Sequence, residues 1–290
     1  MPPSGERYFE IKRRMRALGL ATVCEEAQCP NVGECWSGGT ATFMLMGDTC
    51  TRGCRFCAVT TGKPEALDPM EPRKVAVSVK AMELDYVVIT SVNRDELPDG
   101  GAAHFAATVR AVRAENPKTL VEVLIPDFQG DRAALAALSA SEPDVTAHNV
   151  ETVERLTPEV RDRRASYRQS LAVLQHLKDL RPRAYTKSSL MLGLGEAKDE
   201  IHDAMRDLRS AGVDLLTLGQ YLQPAGWNLP VHEYLPPERF AEYERMGLEE
   251  GFLYVASGPL VRSSYRAGEF FMKSLLSDER NSHAEETKYA

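Results

Sequence analysis

The chain has 290 residues, a formal net charge of −7, 43% hydrophobic residues and 27% charged ones. Such a length buries a sizeable core, as one large domain or two small ones, and the composition is that of an ordinary globular protein. The acidic excess gives no footing for nucleic acid as a partner, and no run reaches the roughly 18 apolar residues of a membrane span.

Residues 6–20, ERYFEIKRRMRALGL, read as a basic amphipathic helix ending at Gly19. All six cysteines follow between Cys24 and Cys57. They fall as two triplets. Cys24, Cys29 and Cys35 have C-x4-C-x5-C spacing, on a loop broken by Pro30 and Gly33; Cys50, Cys54 and Cys57 have C-x3-C-x2-C spacing. The apolar run 41–47, ATFMLMG, has strand length and leads directly into the second triplet. That triplet therefore sits after the C-terminal end of a strand, where barrel enzymes place their chemistry.

From there the chain alternates. Strand-like runs at 86–92, 120–126, 145–150, 187–194 and 215–222 make six with 41–47. Helical patterns at 74–84, 102–115, 131–140, 166–180, 198–211 and 237–250 separate them. Strands rich in Val, Ile and Leu, each followed by a helix, predict a parallel sheet covered by helices. Six units rather than eight suggest an open partial barrel, which periodicity alone does not separate from a doubly wound sheet. The basic run Arg161, Arg163, Arg164 and Arg168 reads as a solvated face in preference to a patch for an acidic partner. The polar end SDERNSHAEETKYA is expected to fray.

The cysteines carry the chemistry. Six could form three disulfides with fifteen pairings, but that is the pattern of small secreted chains, and MPPSGERYFE has no apolar signal segment. Structural zinc favours four ligands in two C-x2-C-like pairs, and only Cys54 and Cys57 make such a pair. Two iron–sulfur clusters fit better. A four-iron cubane with three cysteines leaves one iron open to another ligand. Reduced thiols without an export signal place the chain in the cytoplasm. The six histidines show no metal-ligand spacing and read as structural or surface residues.

C-x3-C-x2-C with Phe56 before the last cysteine resembles the signature of radical S-adenosylmethionine enzymes. The upstream string TVCEEAQCPNVGEC narrows the resemblance to the lipoyl synthase family, and TSVNRDELPDGGA, LGQYLQP and RSSYRAGE agree with it. It implies an α/β fold: a partial (β/α)6 barrel over 41–250, flanked by an N-terminal helix and cysteine loop at 1–40 and a C-terminal extension at 251–290. Only about twenty residues precede Cys24, a shorter lead-in than the family usually has.

The same resemblance implies the activity and its cofactors. Cys50, Cys54 and Cys57 would hold a [4Fe-4S] cluster whose fourth iron binds S-adenosylmethionine; one electron then yields methionine and a 5′-deoxyadenosyl radical. Phe56, Gly100 and Gly101 of the PDGG turn, Glu122, Asn149, Lys187, Gly193 and Gly195 are the candidate S-adenosylmethionine contacts. Cys24, Cys29 and Cys35 would hold an auxiliary [4Fe-4S] cluster with Ser264 as fourth ligand, and Arg262 and Arg266 would orient the serine pair. That cluster would supply sulfur to C6 and C8 of an octanoyl chain. The chain would be carried by a lipoyl protein, either the lipoyl domain of a 2-oxoacid dehydrogenase E2 component or the glycine cleavage H protein. Flavodoxin or ferredoxin would be the reductant, with neither nucleic acid nor membrane as partner. Tyr221 and Trp227 after the sixth strand read as rim packing rather than octanoyl contacts. The runner-up readings are another sulfur-inserting radical enzyme of the biotin-synthase or methylthiolating kind, and a non-catalytic iron–sulfur carrier.

Overall fold

Strands apolar on both faces persist only where both faces are covered. The structure, a computed structural model, describes residues 13, 20–22, 31 and 40–264. Its strands are β1 (Ala21–Thr22), β2 (Thr40–Leu45), β3 (Thr49–Cys50), β4 (Thr60–Thr61), β5 (Tyr86–Ser91), β6 (Leu120–Leu124), β7 (Val145–Ala147), β8 (Tyr185–Leu192), β9 (Leu215–Gln220) and β10 (Tyr254–Gly258). Helices α1 (Glu71–Ala81), α2 (Ala102–Glu115), α3 (Arg132–Ser139), α4 (Tyr167–Leu180), α5 (Lys198–Ser210) and α6 (Pro237–Glu249) alternate with them from β4 onward. The expected helix at 6–20, the first cysteine triplet and the C-terminal tail lie outside the described residues.

One sheet runs in the order β1-β2-β5-β6-β7-β8-β9-β10. Every neighbouring pair is parallel except β1 with β2. The six expected units are present and in order. A seventh parallel strand joins them: β10 pairs with β9 from Tyr254 opposite Leu215 to Gly258 opposite Gly219. Its sequence, YVASG, is short and half-exposed at both ends, so it gives no strong apolar signal. The helix expected at 74–84 begins earlier, at Glu71, because Pro72 supplies a first-turn residue with a helical φ and no amide to satisfy. Side-chain caps fix two others: Asp131 accepts from Ala133 N at 2.8 Å and Ser166 from Gln169 N at 3.1 Å.

The two ends of the barrel differ in chemistry. Tyr86, Leu120, Val145, Tyr185 and Leu215, the first residues of five successive strands, cluster as an apolar plug at the N-terminal end. Just above it, Lys187 Nζ lies 2.8 Å from Glu122 Oε1, and Tyr86 Oη donates to the same carboxylate. A buried charge pair of this kind is stable only because each group is fully engaged. The outward-facing side chains of β2, β5 and β6 pack with α1 to α3, and those of β8 and β9 with α5 and α6.

At the other end, the chain leaves β2 through a left-handed turn at Met46 (φ 66°) and Gly47 (φ 92°). Glu71 accepts from Met46 N at 3.0 Å, and Arg94 donates to Met46 O at 2.9 Å, so both backbone groups of the strained residue are held. This turn aims the second cysteine triplet across the barrel mouth.

The C-terminal segment lies directly on β9. A methyl group at Gly219 would stand 2.1 Å from Val261 O. Gly219→Ala is therefore expected to destabilise the fold by about 1–3 kcal/mol through overpacking, read as a lowered urea midpoint. An unchanged midpoint would show that residues 259–264 do not rest on the strand.

Candidate active site

A cavity of about 490 Å³ opens at the C-terminal ends of the strands. Cys50, the last residue of β3, and Cys54 and Cys57, on the loop from β3 to β4, line it. That loop is fastened mainly by Arg52, whose guanidinium forks onto two carboxylates at once. It meets Asp95 beyond β5 at 2.7 Å and Asp127 beyond β6 at 2.8 Å, and its side chain is 2% exposed. Burial opposes the charge on all three groups. Mutual hydrogen bonding outweighs it, holding Arg52 above its usual range and both carboxyls below theirs.

Two further segments clamp the loop. Asn228 Nδ2 donates to Arg55 O (3.1 Å) and Cys57 O (3.0 Å). On the other side, Gly53 N donates to Asp162 Oδ2 (2.9 Å), and Arg164 donates to Thr51 O (2.6 Å). Arg164 also holds the Asp162 carboxyl well below the usual carboxylate range. The arginine run is largely the solvated face expected: Arg163, Arg164 and Arg168 are exposed, Arg164 pairing with Asp162 and Arg168 with Glu154, while Arg161 is buried.

The thiols suit a cluster better than a single ion. All three line one cavity, yet among the described residues no three His, Cys, Asp or Glu side chains converge on a point that would hold one metal ion. A cubane puts each thiolate on a different iron, so three thiols that line one cavity without converging on a point fit it better than tetrahedral zinc. Backbone amides already point at the sulfurs: Asn93 N and Arg52 N at Cys50 Sγ (3.3 and 3.4 Å), and Asp162 N at Cys54 Sγ (3.3 Å). Such donors stabilise thiolate ligands and tune a cluster. Without a cationic centre, burial pushes the Cys54 thiol up to about 11 and the Cys57 thiol up to about 12. Loading a metal centre must therefore release protons.

Of the other sequence candidates, Phe56, Asn149 and Ser264 line the cavity. Gly100, Gly101, Glu122, Lys187, Gly193 and Gly195 are not among its lining residues. Glu122 and Lys187 pair with each other. Gly193, at φ 97°, is glycine because Glu233 O and Gln220 Nε2 would each stand 2.3 Å from an added Cβ. Gly100 and Gly101 form the left-handed entry to α2, packed under Phe128 and Met46. Tyr221 is buried as expected, with its hydroxyl on Leu229 O at 2.7 Å, but Trp227 is 62% exposed.

Sequence reading missed several wall residues. Glu151, beside Asn149, adopts a left-handed φ of 69°, and burial pushes its carboxyl up while Arg161 opposes the shift. Among the described residues, Ser91 Oγ and Asn149 Oδ1 are buried without a hydrogen-bond partner, and both residues line the cavity. Unpaired buried polar atoms are rare enough that two on one wall mark a surface built for a polar ligand. Arg161 donates to Ser170 Oγ (2.8 Å), and Ser170 in turn meets His148 Nε2 (2.9 Å). His148 Nδ1 lies 2.9 Å from Ile125 O, a tautomer that leaves Nε2 as acceptor.

The class of protein follows from these strands and this loop. The model of the Radical SAM superfamily matches residues 44–208, from β2 to within α5. Solved structures share the fold. Streptococcus suis SuiB bound to precursor peptide SuiA aligns over 86% of this chain and 52% of its own, with a TM-score of 0.60 at 11% identity. The FeFe-hydrogenase maturase HydG from Carboxydothermus hydrogenoformans aligns over 73% and 52%, with a TM-score of 0.58 at 13% identity. This chain spans about half the length of each, and the likeness is one of fold alone.

Closer relatives narrow the class. Lipoyl synthase of Myxococcus xanthus is 59% identical over 96% of this chain and 93% of its own length. That of Thermus thermophilus is 59% identical over 94% and 84%, and the mitochondrial lipoyl synthase of Aedes aegypti 57% over 99% and 75%. The chain belongs to the lipoyl synthase family, and it is an enzyme of the radical S-adenosylmethionine class.

Burial lowers the His148 pKa to about 4, from 6.5. A base whose folded pKa is depressed favours folding when neutral. Its contribution is complete above pH 6.5 and is lost as pH falls through about 4. The loss amounts to about 3 kcal/mol. Urea unfolding at pH 7.5 and pH 4.5 should show this decline in the wild type and a shallower one in His148→Gln. Equal slopes would contradict a neutral buried imidazole.

Proposed function

We propose that this cavity inserts sulfur at C6 and C8 of a protein-bound octanoyl chain. The family's cofactors are S-adenosylmethionine and two [4Fe-4S] clusters. Cys50, Cys54 and Cys57 would hold the one that meets S-adenosylmethionine. Cys24, Cys29, Cys35 and Ser264 would hold the sulfur donor. When bound, the first cluster supplies the electron that releases a hydrogen-abstracting radical from S-adenosylmethionine.

The observation that carries the reading is the path of the C-terminal segment. Ser264 Oγ accepts from Thr42 Oγ1 at 3.2 Å on the cavity wall. Four residues earlier, Leu260 O accepts from Asn31 Nδ2 at 2.7 Å. Asn31 stands between Cys29 and Cys35. The segment that carries Ser264 thus meets Asn31 through a contact spanning 229 positions in sequence, which supports the serine as the fourth ligand. Hydroxyl oxygen is a poor match for a soft iron–sulfur centre, which suits a cluster that must be dismantled.

The chain's own residues do the remaining work. Arg52, Asp95 and Asp127 fix the cysteine loop. Ser91 Oγ and Asn149 Oδ1 offer a donor and an acceptor to S-adenosylmethionine. Met44, Leu124 and Met191 give the acyl chain an apolar wall that excludes water. The barrel unit is taken as 41–250, with 1–40 and 251–290 as the flanks that carry the donor cluster. The octanoyl group would arrive on an E2 lipoyl domain or a glycine cleavage H protein, with flavodoxin or ferredoxin as reductant. No helix among the described residues is long and apolar enough to cross a membrane. A cytoplasmic location is proposed, although several relatives are mitochondrial.

Reconstituted protein is expected to carry about eight irons per chain. Cys54→Ala should abolish 5′-deoxyadenosine formation, whereas Cys29→Ala should keep some and lose all thiolated product. Thiolated product from Cys29→Ala would overturn the division of labour. Ser264→Cys should assemble a more stable donor cluster yet turn over poorly; wild-type insertion by that variant would end the labile-ligand argument.

A further inference from the structure

The cavity accounts for the residues that line it, but not for its rim beyond β9. There, residues 225–228 form a pinned turn. Asn228 N donates to Ala225 O at 3.0 Å, and Ala225 N to Asn228 Oδ1 at 3.1 Å. The Asn228 side chain, 3% exposed, also reaches the two cysteine-loop carbonyls. Trp227 is therefore displayed from a pinned turn, 62% exposed. Leu222, 40% exposed, lies where the same loop enters the cavity mouth. Arg55 is exposed across the Asn228 contact.

A large apolar side chain held in water is a cost that binding would recover. Tryptophan and arginine are also the side chains that most often dominate protein interfaces. The occupant follows from how substrate arrives. An acyl chain attached to a folded carrier can enter this cavity only while the carrier's surface rests on the rim. The rim and the acyl wall are continuous through Leu222. We propose that Trp227, with Leu222 and Arg55 beside it, is the platform on which the acyl-bearing carrier domain docks, with a carrier carboxylate meeting Arg55. The inference rests on the octanoyl reading of the cavity.

Two substrates test it on the reconstituted holoenzyme with dithionite as electron source: an octanoylated carrier protein and a short octanoyl-lysine peptide. Trp227→Ala should raise KM for the carrier about tenfold or more, leaving kcat and the peptide KM within about twofold. Trp227→Phe should keep most of the carrier affinity. An equal rise for both substrates would overturn the platform, because Trp227 would then be acting on the acyl site or the loop. No rise for either would overturn it too. So would a loss that appears only with a protein electron donor, which would assign the face to the reductant. If the wild type thiolates neither substrate, the octanoyl reading itself fails and takes the platform with it; the other outcomes overturn the platform alone.

Discussion

The double fork of Arg52 onto Asp95 and Asp127 is the constraint on which the site depends. The loop carrying the three thiols packs against the core through Cys50, Phe56 and Val59. Between β3 and β4 it has only a two-residue pairing at each strand. Arg52 ties it to the ends of two barrel strands, and the planar guanidinium fixes direction as well as distance. The pair of carboxylates also explains why so buried an arginine is tolerated. Two formal negative charges surround one positive charge, and Gln169 donates to Asp127 at 2.7 Å to satisfy a remaining lone pair.

The barrel gives that loop a polarity to work against. Its N-terminal end is filled by tyrosines, aliphatic side chains and the Glu122–Lys187 pair, so nothing enters from below. Its C-terminal end is kept open by small or short polar residues, among them Thr42, Thr90, Ser189 and Gly219. Gly219 has two effects at once. It leaves space in the cavity wall, and it lets Val261 lie against β9 so that Ser264 reaches Thr42. β10 makes that path possible by returning the chain along β9 in register.

Much of this was legible in the sequence, and the remainder has a physical reason. Alternating apolar runs are short-range signals, so the six units were placed within a few residues. β10 was not seen because its identity comes from β9, far away in sequence, and not from its own five residues. The cysteine triplets were legible by spacing alone. Glu122 and Lys187 were correctly placed on strands, but depth along a strand decides whether a side chain meets the mouth or the plug, and sequence does not carry depth. Arg52 and Asp127 stand 75 positions apart. No local pattern links them; only the fold brings them together.

The origin and number of the inserted sulfur atoms test the account most directly. The protein would be reconstituted with heavy-isotope sulfide, freed of excess, and given S-adenosylmethionine, dithionite and an octanoyl-lysine peptide under single-turnover conditions. The account predicts a product bearing two heavy sulfur atoms per peptide, with both drawn from one chain. Product sulfur at natural isotopic abundance, or 5′-deoxyadenosine without any thiolated peptide, would contradict it.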